Sequence, residues 1–169
     1  VYINSPDTEK AFSLSFRTIP TDDTGVFHIL EHAIFLCGSK KYGVNHWAGN
    51  GLISSLCSGF TMRGTSMYPV SSTNEASFQE LVKICADAVF SPLLTETDLS
   101  LKQEGWHYEY DPETDQLSRC GIVRSEMQAS QQMVAYVLGD LQLRAAFPGT
   151  SFAWNMGGDP VAIPNLTYE

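Results

Sequence analysis

Basic residues are scarce in this chain of 169 residues: 10 Lys and Arg stand against 19 Asp and Glu, for a formal net charge of −9. The ten are scattered, so no basic patch exists to grip nucleic acid or an anionic membrane, both of which reward clustered Lys and Arg. An acidic chain suits a basic peptide partner better. Long hydrophobic runs are also missing: no apolar stretch approaches the 18 or more residues needed to cross a bilayer, and Val1 to Lys10 do not form a signal peptide. No C-x-x-C pair occurs among the four cysteines, Cys37, Cys57, Cys85 and Cys120. Their wide spacing reads as free thiols in a reducing compartment, used as core filler. Internal repeats, low-complexity segments and linkers are absent too, which argues for one domain over residues 1–169. Because Val1 is not an initiator, the chain is expected to be a processed product or a piece of a longer protein.

What is present is an ordinary globular composition, 43% hydrophobic and 17% charged, with enough length to bury about 70% of its extended surface. Ala11 to Arg17 alternates Phe12, Leu14 and Phe16 with small or polar residues, the period of a half-buried strand. Asp22, Asp23 and Thr24 are suited to cap a helix over Gly25 to Cys37, and Gly38 to Gly43 reads as its stop and a surface loop. Val44 to Gly64 is rich in glycine and patterned poorly, with one strand expected; Met67 to Val70 ends another. Thr73 and Asn74 cap an amphipathic helix carrying Phe78, Leu81, Val82, Cys85 and Val89, closed by Pro92. A short helix fits Thr95 to Gln103, a strand Trp106 to Tyr110, a turn Asp111 to Asp115, and one long helix Gly121 to Phe147, interrupted at most near Gly139. The tail from Pro148 reads as loop. Separate helices with hairpin-like strands predict an α+β fold with a mixed or antiparallel sheet.

One run outweighs the rest. His28, Glu31 and His32 form an H-x-x-E-H sequence inside the first helix, so both imidazoles project from one face with Glu31 within a turn of each. From the chain's own His and Glu content, roughly 0.005 such runs are expected by chance. Two imidazoles so placed can hold one zinc, and the carboxylate between them can take a proton from water, the arrangement of a zinc peptidase. A catalytic zinc generally takes three protein ligands. Glu104, Glu109 and Glu126 are the downstream candidates, because His46 lies in irregular sequence and His107 alternates with aromatics. Glu126, flanked by Val123 and Met127 near the start of the long helix, best meets the need for an inward-facing ligand on a rigid element.

Further segments extend the pattern: Phe16-Arg17-Thr18, Asp23-Thr24-Gly25-Val26-Phe27, Cys37-Gly38-Ser39-Lys40-Lys41-Tyr42, Tyr68-Pro69-Val70-Ser71-Ser72-Thr73-Asn74, Gln103-Glu104-Gly105-Trp106-His107-Tyr108-Glu109, Gly157-Gly158-Asp159-Pro160 and Ile163 to Glu169. In order and spacing they resemble the pitrilysin-type metallopeptidases, presequence-protease branch, N-terminal part. The resemblance implies a zinc endopeptidase that degrades targeting peptides and other short unstructured peptides in the mitochondrial matrix or plastid stroma. It implies Zn²⁺ on His28, His32 and the Glu of Glu126-Met127, Glu31 as general base, and a C-terminal half or partner subunit that closes over the substrate. Leu56 to Thr61, with Cys57, Ser58 and Gly59, stands where the family binds the peptide backbone, but Ser58 replaces the usual Asn and the stretch before it is shortened. Ser125 and Gln128-Ala129 replace the usual neighbours of the third ligand. A non-catalytic pitrilysin-type subunit of a larger assembly, such as a respiratory complex, is the alternative these departures favour.

Overall fold

The computed structural model describes residues 1–43, 51–95 and 99–168. His46 lies outside them. The architecture is α+β, with two antiparallel sheets and five helices among the described residues. β1 (Lys10–Thr18) pairs along its whole length with β4 (Gly64–Ser72), whose other side carries β2 (Leu56–Cys57) and β3 (Phe60–Met62). β5 (His107–Asp111) and β6 (Gln116–Cys120) form a separate hairpin.

α1 (Val26–Leu36) and α2 (Glu75–Phe90) cover the inner face of the larger sheet. Phe12, Leu14 and Phe16 of β1 and Tyr68 and Val70 of β4 meet Ile34, Leu81, Cys85 and Ala88 there. A second core lies on the opposite side of α1, where Ile29 packs with Val123 and Met127 of α4 (Ile122–Ser130) and with Ile163 of the tail. Leu101 of α3 (Leu99–Glu104) and Tyr136 of α5 (Val134–Ala146) pack around it. α1 is thus held between two cores. Its backbone cannot shift without opening one of them, which suits a helix that must hold side chains in fixed directions.

Four expectations are revised. Asp22, Asp23 and Thr24 do not cap α1: Asp22 accepts from the backbone and hydroxyl of Thr24, while Asp23 accepts from Arg144 and from the Asn155 N–H. Gly25 takes the cap position instead, in the left-handed region at φ 69°. The long helix is two, broken at residues 131–133 rather than at Gly139, so that Tyr136 turns back onto the core that Val123 and Met127 fill. Gly38 to Gly43 is not all surface, since Ser39 and Tyr42 are buried and the Tyr42 hydroxyl donates to Glu80 at 3.0 Å. The tail is pinned: Ile163 is fully buried, and the Asp159 N–H donates to the Asp23 carbonyl at 2.7 Å. Asn74 caps α2 as expected, accepting from the Ser77 N–H at 2.9 Å.

Gly25 carries the join between the tail and α1. A Cβ there would lie 2.7 Å from the Gly157 carbonyl oxygen and 2.8 Å from Gly158 Cα, and its positive φ is unfavourable for any side chain. Gly25→Ala is therefore expected to cost about 1–3 kcal/mol and to lower Tm by several degrees in thermal unfolding. An unchanged Tm would mean that the tail does not dock as described.

Candidate metal centre

His28 and His32 leave α1 one turn apart, and their rings meet edge to face with centroids 4.8 Å apart. Each Nδ1 has a hydrogen-bond acceptor. His28 Nδ1 lies 3.0 Å from the Gly157 carbonyl, and His32 Nδ1 lies 2.9 Å from Glu104 Oε2. A carbonyl oxygen can only accept, so His28 carries its proton on Nδ1; a carboxylate fixes the same tautomer on His32. Both Nε2 lone pairs are then free. They point at one atom, Glu126 Oε2, which is 3.7 Å from each.

These three donors lie within 4.8 Å of one another, and no other group of three metal-binding side chains forms among the described residues. Two imidazole nitrogens and a carboxylate oxygen are a zinc-type set, and ligands sharing a tetrahedral zinc sit about 3.3 Å apart at bond lengths near 2.0–2.1 Å. The two nitrogen–oxygen spacings of 3.7 Å close by a few tenths of an ångström, and the widest spacing, up to 4.8 Å, closes by rotation of the imidazole and carboxylate side chains. The residues fit the metal.

Glu104, weighed from sequence as a ligand, instead stands behind His32. Its side chain is 2% exposed, with Oε2 on His32 and Oε1 without a partner. Such a carboxylate orients the imidazole. Glu109 lies on the exposed β5–β6 hairpin, and His107 Nδ1 is tied to the Lys102 carbonyl at 2.9 Å; neither approaches the pair on α1. The Gly157 carbonyl had no sequence signal beyond the glycine pair, whose lack of side chains permits the approach to Gly25.

Glu31 is 7% exposed and has no hydrogen-bond partner among the described residues. Above it runs the edge of the sheet. β2 and β3 pair with β4 in one shared register, which sets Ser58 opposite Pro69 and Gly59 opposite Tyr68. A Cβ on Gly59 would come within 2.3 Å of Glu31 Oε1, so only glycine lets the strand pass over the carboxylate. Burial and then the Glu31 charge push the Tyr68 hydroxyl up to about 12, leaving it protonated. The Cys57 thiol is half-buried against the sheet core and raised by burial to about 11, so it is an inert neutral thiol. Ser58 donates its N–H to the Pro69 carbonyl and its hydroxyl to that of Gly59.

The family model described as Insulinase (Peptidase family M16) matches residues 17–146. The chain belongs to that family. Among its relatives, Presequence protease 1, chloroplastic/mitochondrial, of Arabidopsis thaliana is 38% identical over 99% of this chain and 16% of its own length. Presequence protease, mitochondrial, of Yarrowia lipolytica is 37% identical over 100% of this chain and 17% of its own. Protein HypA of Clostridium perfringens is 37% identical over 100% of this chain and 18% of its own. This M16 chain therefore spans about a sixth of the length of the curated relatives it matches. No described helix is long and apolar enough to cross a membrane.

The purified chain is expected to bind one zinc, and His28→Ala or His32→Ala to abolish binding, because two remaining ligands rarely suffice. Glu104→Gln should keep the stoichiometry but weaken affinity about 10–100-fold, the usual cost of losing such a carboxylate. Metal analysis and competitive zinc titration distinguish these outcomes. Wild-type affinity in Glu104→Gln would remove that residue from the centre.

Proposed function

We propose that this chain is the zinc-bearing part of a metalloendopeptidase that cleaves targeting peptides and other short unstructured peptides. The observation that carries the proposal is the convergence of His28 and His32 Nε2 on Glu126 Oε2, with the unpartnered Glu31 carboxylate on the same helix. A zinc held by His28, His32 and Glu126 would supply Lewis acidity, activating water and polarising the scissile carbonyl.

The chain's own groups do the rest. Glu31 accepts the proton of the attacking water and delivers it to the leaving amine, with Gly59 fixing where its carboxylate lies. Gly157 and Glu104 keep both Nδ1 atoms protonated and the rings in place. A peptide strand added along the Leu56–Met62 edge passes directly over Glu31. Folded proteins offer no free strand, so unstructured peptides are the substrate class. Glu126 is 50% exposed, which leaves one side of the centre open to water. A C-terminal half or a partner subunit is the expected cover, excluding water and adding groups that stabilise the transition state. The names of the plant and fungal relatives support an organellar location, mitochondrial matrix or plastid stroma.

Glu31→Gln should retain zinc and the fold while lowering turnover by at least about 10²–10⁴-fold, because the amide cannot accept the water's proton. The assay is cleavage of an unstructured basic peptide by the zinc-loaded chain supplemented with the C-terminal half of a presequence protease. Near-normal turnover in the variant would remove Glu31 from the mechanism, and silence of the complemented wild type would favour the structural-subunit alternative. The unsupplemented chain should cleave slowly at best.

A further inference from the structure

Below the far end of the substrate edge lies a cavity of about 230 Å³ that the metal centre does not use. Arg17, Ile19, Arg63, Ser151, Phe152 and Met156 line it. Its place follows from the sheet register: Met62 at the end of β3 and Arg17 near the end of β1 both stand opposite Thr65 of β4, and Arg63 begins the β3–β4 turn. Three to four residues at about 3.3 Å each separate this row from Gly59 over Glu31, a distance of about 10–13 Å.

Two guanidinium groups border the cavity without a matching charge among the described residues. Arg63 is steered there by one bond, Nη1 to the Phe152 carbonyl at 3.2 Å, and its remaining donors are free. Arg17 has neither an ion pair nor a hydrogen-bond partner among the described residues. No carboxylate lines the cavity among the described residues, and Asp23 and Asp140 pair with Arg144 rather than with either guanidinium. In a chain with a net charge of −9, these two cations at one cavity have no ion-pair partner among the described residues and are open to a ligand. Guanidinium donors match a carboxylate in shape and charge, and Ile19, Phe152 and Met156 offer apolar surface for its methylene stem. The volume suits one side chain. An extended polyanion would meet the acidic remainder of the surface.

We propose that the Arg17–Arg63 cavity is a subsite for a carboxylate of the bound peptide, three or four residues from the position that crosses Gly59. The inference rests on the peptide-edge reading above and adds a selectivity: among unstructured peptides, those with an acidic group at that spacing are held best. An antiparallel peptide places the acidic residue on the N-terminal side of the crossing point, and a parallel one places it on the C-terminal side, where a free terminal carboxylate can serve as well.

The test uses the Glu31→Gln chain, which binds without cutting, and fluorescein-labelled dodecapeptides in which a single Glu is moved along a neutral sequence, each paired with its Gln counterpart and made with a free or amidated C-terminus. Fluorescence anisotropy at low salt should find one position where Glu binds about five- to tenfold tighter than Gln, a ratio that falls with added salt and collapses to about one in Arg17→Gln and Arg63→Gln chains whose circular dichroism is unchanged. If the Glu/Gln ratio is about one everywhere but amidation weakens binding about five- to tenfold only while both arginines are present, the terminal carboxylate is the ligand. Neither a Glu preference nor an effect of amidation, or either one surviving both arginine changes, overturns the subsite. A preference that persists while the complemented wild-type chain cuts nothing refutes the peptidase reading and leaves the subsite standing.

Discussion

An imidazole can offer a metal only the nitrogen that carries no proton, so everything at this centre depends on what holds the other one. Gly157 and Glu104 perform that task from opposite directions. The carbonyl of Gly157 arrives from the tail, and the carboxylate of Glu104 from the end of α3, each within 3.0 Å of an Nδ1. With both tautomers fixed, the Nε2 atoms face the single oxygen of Glu126. The rest of the fold can be understood as the means of bringing these two acceptors to α1. Gly25 lets the tail approach, Asp159 anchors it to Asp23, and Asp23 is itself clamped by Arg144. That clamp holds the Arg144 guanidinium firmly in its charged form, through its hydrogen bonds to Asp23 and then Asp140.

The second dependency is the position of α1 between two cores. Ile34 belongs to one and Ile29 to the other, while His28, Glu31 and His32 emerge between them. The sheet side supplies the edge that passes over Glu31, where Gly59 has no side chain and the neighbouring Ser58 stands opposite Pro69, which lacks an N–H. The second core supplies Glu126 through Val123 and Met127, which bury one face of α4 while Glu126 Oε2 lies 3.7 Å from both His28 and His32. Burial on both sides, rather than helix propensity, makes the site rigid.

Much of this was legible in the sequence because it rests on local periodicity. The alternation of Phe12, Leu14 and Phe16 marks β1, the Asn74 cap marks α2, and the spacing of His28, Glu31 and His32 fixes one face of α1. The place of Glu126 on one helix with Val123 and Met127 was legible, but its side chain is half exposed rather than inward-facing. What was not legible depends on contacts between distant segments. Asp23 reads as a cap but is drawn away by Arg144, 121 residues later, and nothing in Gln131, Gln132 and Met133 announces a break that exists so Tyr136 can reach the core. The intact-looking Gly139 tolerates the helix because a glycine facing open space costs only about 1 kcal/mol. Glu104 was visible as a candidate but not its place, since a carboxylate that faces both Nε2 atoms and one that holds an Nδ1 have the same sequence signature. β6 carries exposed, weakly alternating residues and is set by its pairing with β5.

The central claim is that two Nε2 atoms and one carboxylate oxygen form the metal centre. X-ray absorption at the zinc edge of the zinc-loaded chain tests it most directly. The account predicts two imidazole shells with nitrogen and oxygen neighbours at about 2.0–2.1 Å and no sulfur. A sulfur neighbour near 2.3 Å, or a shell without imidazole scattering, would contradict it.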